Sequence, residues 1–191
     1  MLLPILLALA AVSANPRTRE VVHRTDPGGA NVSIEVIAEG RGPVIVLLPS
    51  LGRDSEEFDP VAARLAEAGF RVLRPQPRGY GKSTGPMTRI TLHDYARDVA
   101  AVVEREKAGP AILAGHAFGH FVAKMTAVDY PNLVRAVILI GAAQKHPDPA
   151  VQKSVAIASD PTQPEAERLK NLQKVFFAAG NDARPWLAVK D

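Results

Sequence analysis

A short apolar strand that runs into Gly115-His-Ala-Phe-Gly119 and then into an apolar helix is the stretch whose spacing points most directly to chemistry. Its two glycines leave room where strand and helix cross closely, and Ala117 between them lies in a sharp bend at the carboxyl edge of a sheet. Hydrolysis by Ser-His-Asp needs a nucleophile, a histidine, an acid that orients the histidine, and two backbone amides that hold the oxyanion. Alanine supplies no nucleophile.

The same stretch resembles the nucleophile elbow of the α/β-hydrolase family, whose pattern is Gly-x-Ser-x-Gly. His116 and Phe118 occupy the x positions, and Ala117 stands where the family has its serine. A second segment, Pro77-Arg-Gly-Tyr-Gly-Lys-Ser83, resembles the Arg-Gly-x-Gly-x-Ser loop of that family, which is structural there. The resemblance covers residues 34–175 and implies the family's fold, with an elbow that lacks its nucleophile.

The resemblance also implies where an oxyanion would be held. In the family one amide belongs to the residue after the nucleophile, here Phe118, and the other to the loop after the first central strand, where Leu51 is the matching donor. An alternative interpretation is that this loop only ends a strand. The family implies neither a metal nor a cofactor, and no cluster of His, Asp or Glu in the sequence has metal-ligand spacing.

The partners of a nucleophile are harder to find in this sequence. In the family the acid and the histidine follow the nucleophile along the chain. After Ala117 the histidines are His120, one helical turn beyond the elbow, and His146, and neither occupies the place of the family's late histidine. The family's chain also returns to the sheet for two more strands, whereas this chain stops within helical segments. These observations predict a truncated member of the family.

The expected function is therefore that of a hydrolase-family protein for ester, amide or similar bonds in small molecules, with impaired catalysis. Two alternatives stay open: a non-catalytic protein, or pseudoenzyme, that binds a small ligand above the elbow, and a non-functional gene fragment. Turnover would favour the first interpretation, saturable binding without turnover the second, and failure to fold the third.

Several other function classes are disfavoured by composition and spacing. The net charge of +3 comes from scattered Lys and Arg, so a nucleic-acid partner is not expected, and the absence of cysteine excludes disulfides and thiolate sites. Gly81-Lys-Ser83 suggests a phosphate loop, but Gln76 stands where that motif needs its first glycine. Gly85-Pro86 also follows where a helix N-terminus should gather the phosphate.

The first fourteen residues, 1–14, are uncharged and apolar and end in Ser13-Ala14, which is the outline of a secretory signal peptide. This pattern predicts a secreted or periplasmic protein. The alternative interpretation, an apolar N-terminal strand or helix, leaves the protein in the cytoplasm. No apolar run of eighteen residues follows, so no integral membrane domain is expected.

Hydrophobic periodicity places these motifs on an α/β scaffold, because strands at 44–48, 71–74, 111–114 and 134–140 alternate with amphipathic helices. The pattern predicts a doubly wound, mostly parallel sheet, preceded by a half-buried antiparallel strand at 32–38 and incomplete at its C-terminal side. The predicted organisation is a signal peptide (1–14), a core (15–143), and a linker with helical, lid-like segments (144–191). A sheet edge left uncovered predicts self-association.

Overall fold

The computed structural model describes residues 16–142 and 148–187. The predicted signal peptide and His146 lie outside the described residues, so both predictions stay as they are. The chain divides into two compact units, Met1–Ile140 and Gly141–Asp191.

A six-stranded mixed sheet forms the first unit, with strand order β1-β2-β4-β3-β5-β6. Strands β3 to β6 run parallel, β2 is antiparallel to both of its neighbours, and the predicted α/β sheet is confirmed. The bounds are Thr18–Thr25 (β1), Asn31–Glu39 (β2), Val44–Leu48 (β3), Arg71–Pro75 (β4), Ala111–His116 (β5) and Val134–Ile140 (β6).

Helices cover both faces of this sheet, as the crossover connections between parallel strands require. A 3₁₀ turn at Ser55–Phe58 and helix α1, Asp59–Glu67, pack on one face, where Phe58 and Ala62 meet Ile45 and Val72. The other face packs against α2, Leu92–Glu106, and α3, Phe118–Asp129. The core therefore consists of two apolar layers with the sheet between them.

The register of the parallel strands brings three loops together at one edge. Leu48 at the end of β3 lies opposite Gly115 in β5, and β4 runs beside β3 in the same direction. The loop after β3, the loop after β4 and the bend after β5 therefore emerge side by side at the carboxyl edge, which is where parallel sheets place their ligand sites.

The prediction that β2 has one solvent face is wrong. Glu35 and Ile37, which alternate with Ile34 and Val36, are as buried as those two residues. The Glu35 carboxylate is accommodated because it accepts a hydrogen bond from the Lys82 backbone N–H at 3.1 Å and lies 3.6 Å from the Arg19 guanidinium. Buried carboxylates need such partners.

The sequence predicts residues 134–140 as a buried parallel strand at the incomplete side of the sheet; the parallel strand and its edge position are found, but its side chains are not buried. In the described part of the chain β6 pairs with β5 alone. Ile138, Leu139 and Ile140 retain 42–47% of their accessible surface. An apolar strand with one free edge remains open to a further partner.

The second unit is helical, as the sequence predicts. It contains α4, Pro149–Ser159, α5, Glu165–Phe176, and a 3₁₀ turn at Arg184–Trp186. Its own small core is built from Ala158, Leu172 and Ala183. A lid role for this unit stays a prediction.

Among the described residues, no helix has the length and apolar character needed to cross a bilayer.

Candidate active site and its cavity

The bend between β5 and α3 holds Ala117 in a backbone conformation that L-residues seldom adopt, with φ 44° and ψ −113°. Its N–H donates to the Ile140 carbonyl at 2.9 Å, and its carbonyl accepts from the His120 N–H at 3.1 Å. The His120 ring also donates to this carbonyl through Nδ1. Both peptide groups of the bend are thus held by neighbours, which keeps the strained turn in place.

The two glycines of the elbow are required by close packing. A Cβ on Gly115 would overlap the Gly119 carbonyl, and a Cβ on Gly119 would overlap the carbonyl of Leu48 at the end of β3. These contacts explain the Gly-x-x-x-Gly spacing physically, because only glycine lets strand β5, helix α3 and strand β3 approach this closely.

A cavity of about 150 Å³ lies beside the elbow at the carboxyl edge of the sheet. Both residues predicted to supply oxyanion amides, Leu51 and Phe118, line this cavity, whereas Ala117 does not. Phe118 is the first residue of α3, so its N–H has no acceptor within the helix. The structure thus brings Leu51 and Phe118 to one cavity, and their role as oxyanion donors stays a prediction.

The cavity walls are mostly apolar and come from strands β2, β3 and β4, the loops after β3 and β4, and helices α2 and α3. Tyr95 and Phe118 meet edge to face with ring centroids 5.6 Å apart. Leu51 and Met87, which are 68% and 55% exposed, also line the cavity. The other apolar wall residues are Ile34, Leu48, Pro49, Pro75, Pro77, Tyr80, Val99 and Val122. Such a site suits a small ligand with a hydrocarbon body.

Two charged residues, Arg78 and Asp98, line the cavity. The Arg78 guanidinium forks onto the Asp98 carboxylate, with Nε to Oδ2 at 2.8 Å and Nη2 to Oδ1 at 3.0 Å. Arg24 of β1 donates to the same carboxylate, with Nε to Oδ1 at 2.8 Å. We call these three residues the arginine–aspartate cluster. It lies within the fold, since none of its side chains is more than 12% exposed.

The loop that contains Arg78 is anchored by buried hydrogen bonds. The Ser83 hydroxyl donates to the Gln76 carbonyl and accepts from the Glu35 N–H, both at 2.9 Å. A Cβ on Gly81 would overlap the Glu35 carboxylate. These contacts are structural, in agreement with the role that the resemblance implies for this loop.

The two histidines of the elbow region do not line the cavity. His120 is fully buried, and its Nε2 makes no hydrogen bond within the described part of the chain. His116 faces the α1 side, where its Nδ1 lies 3.5 Å from Glu57 Oε1. The sequence pattern predicts a capping box between Asp54 and Glu57, and this prediction is wrong, because the Asp54 carboxylate accepts from the N–H of Glu56 instead. Neither histidine stands where a base for residue 117 is needed.

The arginine–aspartate cluster was not predicted from the sequence. One signal was available, because Asp98 follows Tyr95 and precedes Val99 and Val102 on the buried face of α2. A carboxylate on such a face must find a cation. Its partners, Arg24 and Arg78, are 74 and 20 residues away, and no local pattern identifies them.

Among residues 16–142 and 148–187, no group of three or more His, Asp or Glu side chains could hold a metal ion.

Comparisons with known proteins agree with this geometry. The family model described as "alpha/beta hydrolase fold" matches residues 43–187. The chain is 32% identical over 120 residues to 2-(acetamidomethylene)succinate hydrolase of Mesorhizobium japonicum, covering 63% of this chain and 42% of that protein. It is 31% identical over 121 residues to pyrrolizixenacetamide deacetylase of Xenorhabdus hominickii, covering 63% and 45%.

A solved structure of E-2-(acetamidomethylene)succinate hydrolase superposes with a TM-score of 0.62 at 28% identity, covering 74% of this chain and 50% of that one. The chain thus spans half or less of the length of these proteins.

Proposed function

Because this chain belongs to the α/β-hydrolase family, we propose that it binds a small molecule in the cavity beside the elbow and does not cleave it through a covalent intermediate. The observation that carries the proposal is Ala117 at the bend between β5 and α3, in the strained conformation with φ 44°. A methyl group at this position cannot attack a carbonyl carbon.

The residues around the bend support the same conclusion. The base of a triad must lie within hydrogen-bond reach of its nucleophile. His120 is the histidine nearest along α3, but its Nδ1 is engaged by the Ala117 carbonyl and its ring is fully buried. His116 faces Glu57 on the other side of the sheet. Replacement of Ala117 by serine would therefore restore a hydroxyl without a base.

Binding rests on the cavity itself, whose volume and walls do not depend on the missing hydroxyl. The relatives named above are, by their names, a hydrolase and a deacetylase of small molecules. From these relatives we infer that the ligand of this chain is a small molecule, and we propose that the hydrolytic step is lost or impaired.

A kinetic comparison tests the catalytic half of the proposal. The protein as it exists and the variant Ala117→Ser are assayed with p-nitrophenyl acetate. We expect no turnover above the uncatalysed rate for the first, and for Ala117→Ser a rate far below the 1 to 1,000 per second that is roughly usual for enzymes. A kcat in that range for Ala117→Ser would show that a base is in place and would contradict the account of His116 and His120.

A binding measurement tests the other half. Saturable chemical-shift changes on titration with benzamide are expected for the protein as it exists. Val99→Phe, which fills the cavity, should abolish them, whereas Val61→Phe, at a half-exposed position on α1, should not. If neither benzamide nor benzoate causes saturable changes, the cavity is not a binding site for molecules of this kind.

A further inference from the structure

The charges beside the cavity do not balance. Arg24 and Arg78 share the single carboxylate of Asp98. Asp94, whose carboxylate also experiences the charge of Arg78, is paired with Arg97 at 2.8 Å. Three guanidinium groups thus share two carboxylates in this part of the described chain. One positive charge has no partner in the cluster.

The burial of the cluster strengthens the electrostatic effect of its unbalanced charge on neighbouring groups. The side chains of Arg78 and Asp98 are 2% and 7% exposed, and that of Arg24 is 12% exposed. Water screens charges poorly in such surroundings, so their influence extends further than on the surface. Arg78 and Asp98 both line the cavity, and the positive potential of the cluster is therefore felt by whatever occupies it.

The Tyr95 phenol, which is part of the cavity wall, is influenced by both charges of the Arg78–Asp98 pair. Burial raises the pKa of Tyr95, the positive charge of Arg78 opposes that rise, and the negative charge of Asp98 adds to it less strongly than Arg78 opposes it. At the Tyr95 phenol the influence of Arg78 thus exceeds that of Asp98. The first turn of α3, which also borders the cavity at Phe118 and Gly119, has the same sign as the charge of Arg78.

The remaining properties of the cavity limit the size of the ligand. A volume of about 150 Å³ is similar to that of an engineered apolar cavity in another protein that holds one benzene ring. The walls are predominantly hydrocarbon. A fitting molecule has one ring or a short branched chain, and a group whose charge offsets the surplus cation.

We propose that the cavity selects small apolar acids, in which a single carboxylate is attached to one ring or a short hydrocarbon body. This inference rests on the proposed function, since it specifies the ligand class of the same cavity. The Arg24–Asp98–Arg78 arrangement is the source of the selectivity, and the apolar walls supply the contact area.

The test compares two probes of equal shape, benzoate and benzamide, titrated into the protein as it exists and followed by chemical shifts. A full charge several ångströms away in a partly screened site changes an affinity roughly tenfold. We therefore expect benzoate to bind about tenfold more tightly than benzamide.

Two substitutions assign that preference to the cluster. Arg24→Gln removes the surplus charge but leaves the Arg78–Asp98 fork, and it should reduce the preference for benzoate to within about twofold while benzamide binds as before. Arg97→Gln removes a more exposed charge and should lower the preference less. Arg105→Gln is the matched control, because Arg105 lies two helical turns beyond Arg97 on α2 and its guanidinium pairs with the Glu20 carboxylate at 2.7 Å. It should keep the full preference.

The outcomes separate this inference from the proposed function. Equal binding of benzoate and benzamide would overturn the inference and leave the proposed function standing. Absence of binding by both probes would overturn the two together. A tenfold preference that survives in Arg24→Gln would overturn the assignment to the cluster. Should Arg24→Gln not fold, Arg24→Met removes the same charge and keeps an unbranched side chain, and a tenfold preference that survives in Arg24→Met would have the same meaning.

Discussion

Ala117 combines an unreactive side chain with a backbone conformation that normally costs energy. A non-glycine residue at φ 44° is strained, and such strain persists only where its surroundings hold it. In this chain those surroundings are the Ile140 carbonyl, the ring of His120 and the close contacts of Gly115 and Gly119. The elbow is thus maintained by its neighbours and does not depend on a serine.

Replacing Ala117 by glycine should stabilise the fold. Glycine adopts positive φ without strain, so Ala117→Gly should raise the free energy of unfolding by about 1 kcal/mol after the larger chain entropy of glycine is allowed for. Urea denaturation measures this change. The matched control is Ala101→Gly, in the middle of α2, where the same substitution should lower stability by about 1 kcal/mol. Equal losses at both positions would contradict the strain assigned to Ala117.

At the scale of single elements, α2 positions the cavity, because it contributes Tyr95, Asp98 and Val99 to its wall. Its start is defined by a capping box, in which the Thr91 side chain accepts from the Asp94 N–H and the Asp94 carboxylate accepts from the Thr91 N–H at 2.8 Å. The sequence predicts this start correctly, since Thr91 and Asp94 are three residues apart before an apolar run.

Breaking this cap should cost stability in a pH-dependent way. The Thr91 hydroxyl, by its hydrogen bond, holds the pKa of Asp94 below its usual range. A carboxylate whose pKa is lowered by folding stabilises the folded state at pH values above the pKa of about 4 that it has in the unfolded chain. This stabilisation is lost as the pH falls through the pKa of the carboxylate in the folded state. Asp94→Asn should therefore lower the free energy of unfolding by about 1 kcal/mol at pH 7 and by much less near pH 3.

Urea denaturation at both pH values measures the effect of Asp94→Asn. Glu104→Gln, an exposed charge removal near the other end of α2, should change stability by less than about 0.5 kcal/mol at both pH values. If Asp94→Asn costs as much at pH 3 as at pH 7, the carboxylate is not the stabilising form.

Elements whose determinants are local could be predicted from sequence, and those whose determinants are distant could not. The elbow and the α2 cap depend on residues within a few positions of each other. Strand β1 was missed because its sequence is largely polar, and its arginines reach Glu56 and Asp98, which lie 37 and 74 residues away. Glu35 was expected on a solvent face because its partner, the Lys82 N–H, is 47 residues away.

The features of the candidate site also differ in whether local or distant residues determine them, and so in whether they could be predicted from the sequence. Leu51 and Phe118 were predicted from motifs and do line one cavity. The cation surplus beside that cavity was not predicted, because it depends on β1, α2 and the loop after β4 meeting in three dimensions. Long-range ion pairs leave no periodic signal in a sequence.

At the scale of the whole molecule, the exposed edge of the sheet is the feature most relevant to behaviour in solution. In the described residues β6 has a partner on one side only, and Ile138, Leu139 and Ile140 are each more than 40% exposed. A flat apolar edge strand pairs readily with another strand. We therefore propose self-association through β6, in agreement with the expectation from the sequence.

A lysine on this strand should prevent the association. The protein as it exists should show concentration-dependent sedimentation, and Ile138→Lys should sediment as a monomer because a buried ammonium at the new interface is unfavourable. Val128→Lys, at a 73% exposed position on α3, should leave the association unchanged. A protein that remains monomeric at all concentrations would contradict the proposal for β6.

The central claim is that no acyl intermediate forms at the elbow of this chain. The most direct measurement is rapid mixing of the protein with p-nitrophenyl acetate, followed by mass spectrometry of the quenched protein and its peptides. Because Ala117 supplies no hydroxyl, the account predicts neither a burst of nitrophenolate nor an acetyl group on any residue that lines the cavity. A burst of one equivalent, with acetyl on a cavity residue that then hydrolyses during turnover, would contradict the claim.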